Sequence, residues 1–218
     1  MTSTETAVVD YVYAGGDEVI SNYTSGQKIA LGTYPTGGNF VDGNFVLSSA
    51  SGNLIVQNAV DKVIDMVDSE GNAFAKAYAA TNPGLIDGRG IAGYEIIAGS
   101  DAGADLIFAG DGGSQLWGGA GIASDTLIGG DGTDIFVVGK YQGADVFGNA
   151  SAFDVVYLND TTLSDIVATA EQNGVITVAF NTGNVIAVYS SQTLSSAFVL
   201  ADGSAWRFNH VTKSWQSA

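Results

Sequence analysis

A glycine-rich segment that recurs along the middle of the chain constrains the fold more than any other feature. Residues 129–137 read GGDGTDIFV and match the nonapeptide G-G-x-G-x-D-x-U-x, in which U is a large apolar residue. Related segments lie on both sides, and their lengths alternate between 11 and 9 residues: 98–108, 109–117, 118–128, 129–137, 138–148 and 149–157. The repeating unit is therefore 20 residues long.

Stacking the segments at this period aligns apolar residues in two columns. One column holds Ile107, Leu127 and Phe147, and the other holds Ile96, Leu116, Phe136 and Val156. Each segment is interpreted as a glycine-rich turn followed by a short strand, whose alternate side chains point to opposite faces. Successive coils would pair as parallel strands around the two apolar columns. The sequence predicts an all-β fold: a central parallel β-roll, or solenoid, with 20-residue coils, flanked by β-rich capping regions.

Aspartates recur in the same register and indicate a metal. The aligned sets are Asp105, Asp125 and Asp145; Asp134 and Asp154; and Asp111 and Asp131. Carboxylates one strand spacing apart repel each other, and a divalent cation would remove that conflict. Ca²⁺ accepts carboxylates and turn carbonyls at flexible geometry, Mg²⁺ needs a tighter octahedron, and Zn²⁺ prefers His or Cys. We predict that these seven aspartates bind calcium.

Residues 89–157 resemble the RTX family, repeat proteins whose glycine-rich nonapeptides form a calcium-binding parallel β-roll. The resemblance implies that Asp131 and Asp134 bind calcium with Asp111 from the turn one coil earlier. Asp105, Asp125 and Asp145 hold the matching position on the other side of the roll. Ser114 replaces the motif aspartate in its turn, and each 11-residue turn has two extra residues. Those residues could abolish calcium binding on that side and leave its aspartates solvated, so a few ions are expected on the Asp134 side.

Composition restricts the partners and the route of export. The net charge is −16, which disfavours binding to nucleic acid and to anionic membrane surfaces. The chain has no cysteine, no apolar run long enough to span a membrane, and no N-terminal signal-peptide pattern. The RTX resemblance implies type I secretion through an uncleaved C-terminal signal, to the extracellular space or the bacterial cell surface. Calcium outside the cell would then drive folding.

The two flanks resemble each other. We divide the chain into a β-rich N-terminal flank (1–88), the RTX-like β-roll (89–157) and a β-rich C-terminal cap with a secretion-signal region (158–218). Residues 11–23, 48–56 and 66–74 parallel 136–149, 181–188 and 198–206, which indicates a duplicated unit. Strands are expected at 45–47, 54–56, 63–67, 175–180, 185–189 and 198–200, a hairpin turn at Asn173-Gly174, and short helices near 73–80 and 162–171.

The sequence favours a structural protein over an enzyme. His210 is the only histidine, and we interpret it as a surface residue of the C-terminal tail. The favoured function is a calcium-stabilised subunit of an extracellular filament or surface layer, assembled head-to-tail from copies of itself. The first alternative is an adhesin or carbohydrate-binding module that binds cell-surface glycans through exposed aromatic residues. Trp117 is expected in an exposed column with Ile97, Val137 and Tyr157. The second alternative is the C-terminal part of an RTX toxin or enzyme.

Overall fold

The fold is a β-solenoid, as the 20-residue period predicts. The computed structural model describes residues 8–91, 93–190 and 195–218. Parallel coils stack into a solenoid of about seven turns, with about 20 residues from one coil to the next. The described residues contain no α-helix, and their one helical segment is the 3-10 turn Leu163–Asp165. The predicted all-β solenoid is confirmed.

Two compact units make up the chain: unit 1 comprises residues 1–80 and 92–96, and unit 2 comprises 81–91 and 97–218. The strands of unit 1 are β1 (Tyr11–Tyr13), β2 (Glu18–Ile20), β3 (Lys28–Leu31), β4 (Pro35–Val41), β5 (Asn44–Ser49), β6 (Gly52–Val56), β7 (Ile64–Val67) and β8 (Ala73–Ala79). One sheet of unit 1 has the order β1-β3-β7-β8, in which only the β7–β8 pair is antiparallel. The other has the order β2-β6-β5-β4, in which only the β2–β6 pair is parallel.

Unit 2 contains most of the repeat. Its strands are β9 (Leu85–Asp87), β11 (Leu106–Phe108), β12 (Ser114–Trp117), β13 (Thr126–Ile128), β14 (Asp134–Val138), β15 (Val146–Gly148), β16 (Val155–Leu158), β17 (Ile166–Gln172), β18 (Val175–Phe180), β19 (Val185–Tyr189), β20 (Ala197–Leu200), β21 (Ala205–Asn209) and β22 (Ser214–Ser217). The strand β10 (Tyr94–Ala98) includes the boundary between residues 96 and 97.

Both sheets of unit 2 begin as parallel stacks and end in antiparallel pairs. In one sheet, β12, β14, β16 and β20 are parallel, and β21 and β22 follow antiparallel. In the other, β9, β11, β13, β15 and β19 are parallel, and β18 and β17 follow antiparallel. The antiparallel pairs at 166–180 include the predicted hairpin turn at Asn173-Gly174.

The two predicted apolar columns form the core of the coils. Leu127 lies in register with Ile107 and Phe147, and Phe136 lies in register with Leu116 and Val156. These side chains are fully buried, and the Phe136 and Phe147 rings stack across the core with centroids 5.1 Å apart. Each such side chain contributes about 1.5–3 kcal/mol through burial of apolar surface. The columns therefore stabilise the coils and fix their register.

The strand order of unit 1 recurs within unit 2. The order β14-β16-β20-β21 repeats β1-β3-β7-β8, and the order β15-β19-β18-β17 repeats β2-β6-β5-β4. We call residues 11–79 the first module and residues 134–209 the second module. The modules match in detail at one hairpin, where Asp42-Gly43 and Asn173-Gly174 all have positive φ angles, between 49° and 82°. This topology agrees with the duplication that the sequence indicates.

Three local predictions are wrong. Residues 73–79 form strand β8, because alternate alanines are buried where β8 pairs with β7. Residues 162–171 contain only the 3-10 turn before β17, which pairs with β18 and is rich in β-branched residues. Trp117, Val137 and Tyr157 are half-buried, and Ile97 is buried in the core, so they do not form an exposed column.

Parallel pairing also extends beyond residues 89–157. In the N-terminal flank β1, β3 and β7 are parallel, and in the C-terminal flank β16 pairs with β20 in the same way. The coil continues in both flanks because their strands keep the same inward alternation of apolar side chains. The division at residues 88 and 157 stays a prediction.

Candidate functional site

The aspartates of the 11-residue turns form a buried ladder. Asp105, Asp125 and Asp145 are 3%, 4% and 3% exposed. Asp125 Oδ1 accepts the Asp105 backbone N–H at 2.8 Å, and Asp145 Oδ1 accepts the Asp125 N–H at 2.9 Å. Asp105 Oδ1 continues the pattern by accepting the Gly84 N–H at 2.7 Å. Each side chain thus ties its own coil to the coil before it.

The alternative that these three aspartates are solvated is wrong. The longer turn directs its own N–H groups inward, as at Ser100, whose N–H donates to Asp105 Oδ2 at 2.7 Å. A carboxylate can stay buried when such donors replace its water. The extra residues of the turn therefore supply hydrogen bonds to the carboxylate instead of exposing it.

Asp134 and Asp154 form the corresponding pair in the 9-residue turns, and both are fully buried. Asp154 accepts the Asp134 N–H at 2.9 Å on Oδ1 and the Ser151 N–H at 2.5 Å on Oδ2. The two carboxylate oxygens of Asp134 make no hydrogen bond of standard geometry with any described residue. Weaker hydrogen bonds from the Gly130 backbone and from the backbone and side chain of Ser114 nevertheless lower the pKa of Asp134 in part. Asp134 is thus the less well satisfied member of the pair.

Burial makes three of the aspartates, Asp125, Asp134 and Asp145, unusually weak acids. It raises the pKa of Asp134 to about 7, helped by the charge of Asp154. Burial also raises the pKa of Asp145 to about 7 and that of Asp125 to about 6, against the opposing effect of the backbone N–H donors. At neutral pH each group lies near the boundary between its protonated and its charged form. A proton or a cation is needed to offset the buried charge.

The glycine-rich turns around Asp134 are packed backbone to backbone. A Cβ on Gly130 would lie 2.0 Å from the Gly110 carbonyl oxygen, and one on Gly132 would lie 2.9 Å from that of Asp111. Asp111 and Asp131 are exposed on these stacked turns. The turns therefore bring main-chain carbonyls of one coil against the next, beside two solvent-facing carboxylates.

Calcium fits the two sets of turns unequally. Within residues 8–91, 93–190 and 195–218, no three acidic or histidine side chains come close enough to hold a metal ion by themselves. The Oδ1 atoms of Asp105, Asp125 and Asp145 are already taken by N–H donors. The Asp134 turn offers a buried carboxylate and nearby carbonyl oxygens, the ligand types that Ca²⁺ prefers. An ion there would draw on Asp134 and main-chain carbonyl oxygens, because Asp111 and Asp131 do not come together with Asp134 as a three-carboxylate set. Binding at the seven predicted aspartates stays a prediction.

A polar cleft in the second module was not predicted. Glu171, Asn173, Ser190 and His210 are among the residues that line this cleft of about 550 Å³. The interpretation of His210 as a surface residue is wrong: its side chain is 12% exposed, and Nδ1 lies 3.4 Å from Glu171 Oε1. The antiparallel pairs bring together residues far apart in sequence. A signal was present in the duplication, since Glu171 occupies a position that is apolar in the first module.

Comparisons with known proteins add little to this description. No family model and no curated protein matches the chain. Among solved structures, the crystal structure of the extracellular lipase LipA from Serratia marcescens matches over 82% of this chain at 15% identity, with a TM-score of 0.23. The chain spans 32% of the length of that lipase. A TM-score this low supports no inference about fold or function.

The described residues contain no helix with the length and hydrophobicity needed to cross a bilayer.

Proposed function

We propose that the chain is an exported, calcium-stabilised structural protein, the subunit of an extracellular filament or surface layer. The observation that carries the proposal is the Asp134 carboxylate, which is fully buried in a glycine-rich turn and lies one coil from the equally buried carboxylate of Asp154. A buried carboxylate in this state destabilises the fold at neutral pH unless a cation or a proton joins it. Calcium is the cation whose ligand preferences match a carboxylate beside turn carbonyls.

Calcium binding would couple folding to the extracellular space. The seven predicted ligands belong to a chain with a net charge of −16, which repels itself when it is compact. A cation that binds only the folded state stabilises that state in proportion to the logarithm of its concentration. Export by type I secretion, as the RTX resemblance implies, would deliver an unfolded chain to a medium that contains calcium.

A structural role, and not catalysis, is the second part of the proposal. The buried aspartates of the solenoid hold backbone N–H groups and so serve the architecture of the coils. In the described part of unit 1, β1 and β2 are the outermost strands of their sheets. Outermost strands have one row of backbone groups free to pair with another chain, which favours head-to-tail assembly with copies of the same protein.

A calcium titration tests the proposal. Circular dichroism and sedimentation velocity would follow the purified chain at about pH 8 from EGTA into millimolar calcium. We expect calcium to increase β structure and the resistance to urea. Asp134→Asn should raise at least tenfold the calcium concentration that gives half of the maximal response. The same variant should be more stable than wild type in EGTA, because it removes the buried charge. A variant that was merely less stable than wild type would not be the more stable of the two in EGTA.

Asp42→Asn provides the matched control. Asp42 is an exposed aspartate in the β4–β5 turn with φ of 49°, a conformation that asparagine adopts readily. This variant should respond to calcium as wild type does. Identical spectra and urea midpoints for wild type in EGTA and in calcium would refute the proposal.

A further inference from the structure

The polar cleft of the second module has unsatisfied hydrogen-bonding groups. Ser190 Oγ and His210 Nε2 are buried and find no hydrogen-bond partner among the described residues, whereas His210 Nδ1 faces Glu171 Oε1 at 3.4 Å. Both residues line the same cleft of about 550 Å³. A buried polar atom without a partner destabilises the fold, because it loses its hydrogen bonds to water and gains none. Two such atoms in one cleft indicate that something from solution supplies the missing hydrogen bonds.

The first module shows what the same position contains when it only supports the fold. Phe40 lies opposite Phe45 in the β4–β5 ladder, and the two rings are 5.2 Å apart. Glu171 lies opposite Ile176 at the matching position of the β17–β18 ladder. In the second module a carboxylate thus replaces a buried phenylalanine, and its side chain is only 5% exposed. An apolar residue would stabilise this hairpin at lower cost, so the carboxylate points to a function.

The charge of Glu171 is neutralised within the protein. Its carboxylate forms an ion pair with Lys213, accepts the Gly174 N–H at 3.0 Å and lies beside His210. These contacts, of which the one with Lys213 has the largest effect, hold the pKa of Glu171 well below its ordinary value. The carboxylate therefore stays ionised and can accept further hydrogen bonds. The overall acidity of the chain disfavours an anionic ligand.

We propose that this cleft binds a short neutral oligosaccharide. Sugar hydroxyls both donate and accept, which matches the orphaned Ser190 hydroxyl, the imidazole of His210 and the carboxylate of Glu171. Tyr189 lines the cleft and is half exposed, so its ring offers a face for the C–H surface of a sugar. Ligand clefts combine such an aromatic surface with a few polar groups that fix orientation.

A second cleft gives the ligand room for more than one sugar. This cleft of about 620 Å³ shares Glu171 and Asn173 with the first, and Trp215 lines it. Ser190 Oγ makes no hydrogen bond with His210. We therefore assign binding, and not nucleophilic catalysis, to these residues. The site is independent of calcium binding and assembly, so each proposal can fail without the other.

Calorimetry and saturation-transfer NMR on the full chain test the site. The probes are maltotriose, cellotriose and chitotriose, with 3′-sialyllactose as an acidic comparison. We expect at least one neutral probe to bind with Kd between about 10 μM and 1 mM. Tyr189→Ala and Ser190→Ala should each weaken that binding at least tenfold. Tyr141→Ala, which truncates an exposed tyrosine elsewhere in unit 2, should leave it unchanged.

Three results would overturn the inference. They are no binding by any neutral probe, preferential binding of sialyllactose, and equal binding by wild type and Tyr189→Ala. Because Tyr189 is half exposed, its truncation should preserve the fold and keep the test decisive even if Ser190→Ala does not fold. The circular dichroism response to calcium should be the same for wild type and Tyr189→Ala.

Discussion

At the scale of single residues, the buried aspartates of unit 2 have two opposing effects. The Oδ1 atoms of four of them accept N–H groups from the preceding coil and so hold the coils in register: Asp105, Asp125, Asp145 and Asp154. Their charges, however, are removed from water and lie one coil from the next carboxylate. The hydrogen bonds favour the ionised form, but burial dominates and raises the pKa of Asp125, Asp134 and Asp145. The same residues therefore specify the fold and make it sensitive to pH.

We predict that, in EGTA, the free energy of unfolding falls as pH rises from about 4 to about 8. Asp134 has an ordinary pKa of 3.8 when unfolded and about 7 when folded, so between these two values the folded state keeps its proton while the unfolded state has lost it. Stability is complete below the lower pKa and is lost as pH rises through the upper one. The loss is on the order of a few kcal/mol, measurable by urea unfolding at each pH.

The pH effect of the buried carboxyls can be separated from general repulsion in an acidic chain. The double variant Asp134→Asn, Asp145→Asn places neutral side chains of the same shape at two of the positions where the pKa is raised. It should show a much shallower loss of stability across the same pH range. A slope equal to that of wild type would mean that the surface charge, and not the buried column, causes the effect.

A second prediction concerns the ladder itself. Asp125→Ala leaves the buried Asp105 N–H without its acceptor and should lower the free energy of unfolding by about 1–3 kcal/mol. Asp125→Asn keeps an acceptor oxygen, so its free energy of unfolding should fall less than that of the alanine variant. At neutral pH the asparagine variant also gains stability because it lacks the buried charge. Urea unfolding in EGTA compares the two. Equal destabilisation by alanine and asparagine would contradict a hydrogen-bonding role.

The sequence predicted which aspartates align, but not how each one is satisfied. Register follows from a count of residues, so Asp105, Asp125 and Asp145 could be aligned from spacing alone. Their burial depends on where the N–H groups of the 11-residue turns point, and this is a property of backbone conformation. His210 was misplaced for a related reason, because its neighbour Glu171 is brought to it by hairpins of the second module.

At the scale of elements, the turns stack so closely that some positions admit only glycine. Gly130→Ala would place a Cβ 2.0 Å from the Gly110 carbonyl oxygen, and this contact can be relieved only by moving a backbone. We predict a loss of about 2 kcal/mol or more in unfolding free energy. Gly37→Ala is the control, since its added Cβ would meet nothing within 4 Å. Similar unfolding midpoints for both variants would contradict the stacking.

Strands were predicted well where inward and outward side chains differ in size and polarity, and poorly where the composition is typical of a helix. The predicted strands at 175–180 and 185–189 match β18 and β19 closely, because large apolar residues alternate with smaller ones. The alanine-rich stretch 73–79 has the composition of a helix, but β7 provides a pairing partner that local propensity cannot reveal. Tertiary pairing overrides weak propensity in such segments.

At the scale of the whole molecule, the same strand order occurs in both modules, but the two modules use it for different purposes. The first module fills its β4–β5 hairpin with aromatic residues, whereas the second places a polar cleft at the matching hairpin. Duplication lets one copy keep a packing role while the other accepts destabilising polar residues. This division explains why the sequence similarity of the flanks is weak although their topologies agree.

The last prediction concerns assembly through the outermost strands of unit 1. Val12 lies on β1, the outermost strand of its sheet in the described part of unit 1, and is 67% exposed. If β1 pairs with a second copy, Val12→Lys should block that pairing, as edge lysines do in natural sheets. Sedimentation velocity in millimolar calcium should then show large species for wild type and a monomer for the variant. Val211→Lys, in an exposed turn, should still assemble. A wild type that stays monomeric at all concentrations would exclude the filament and leave a calcium-stabilised monomer as the functional form.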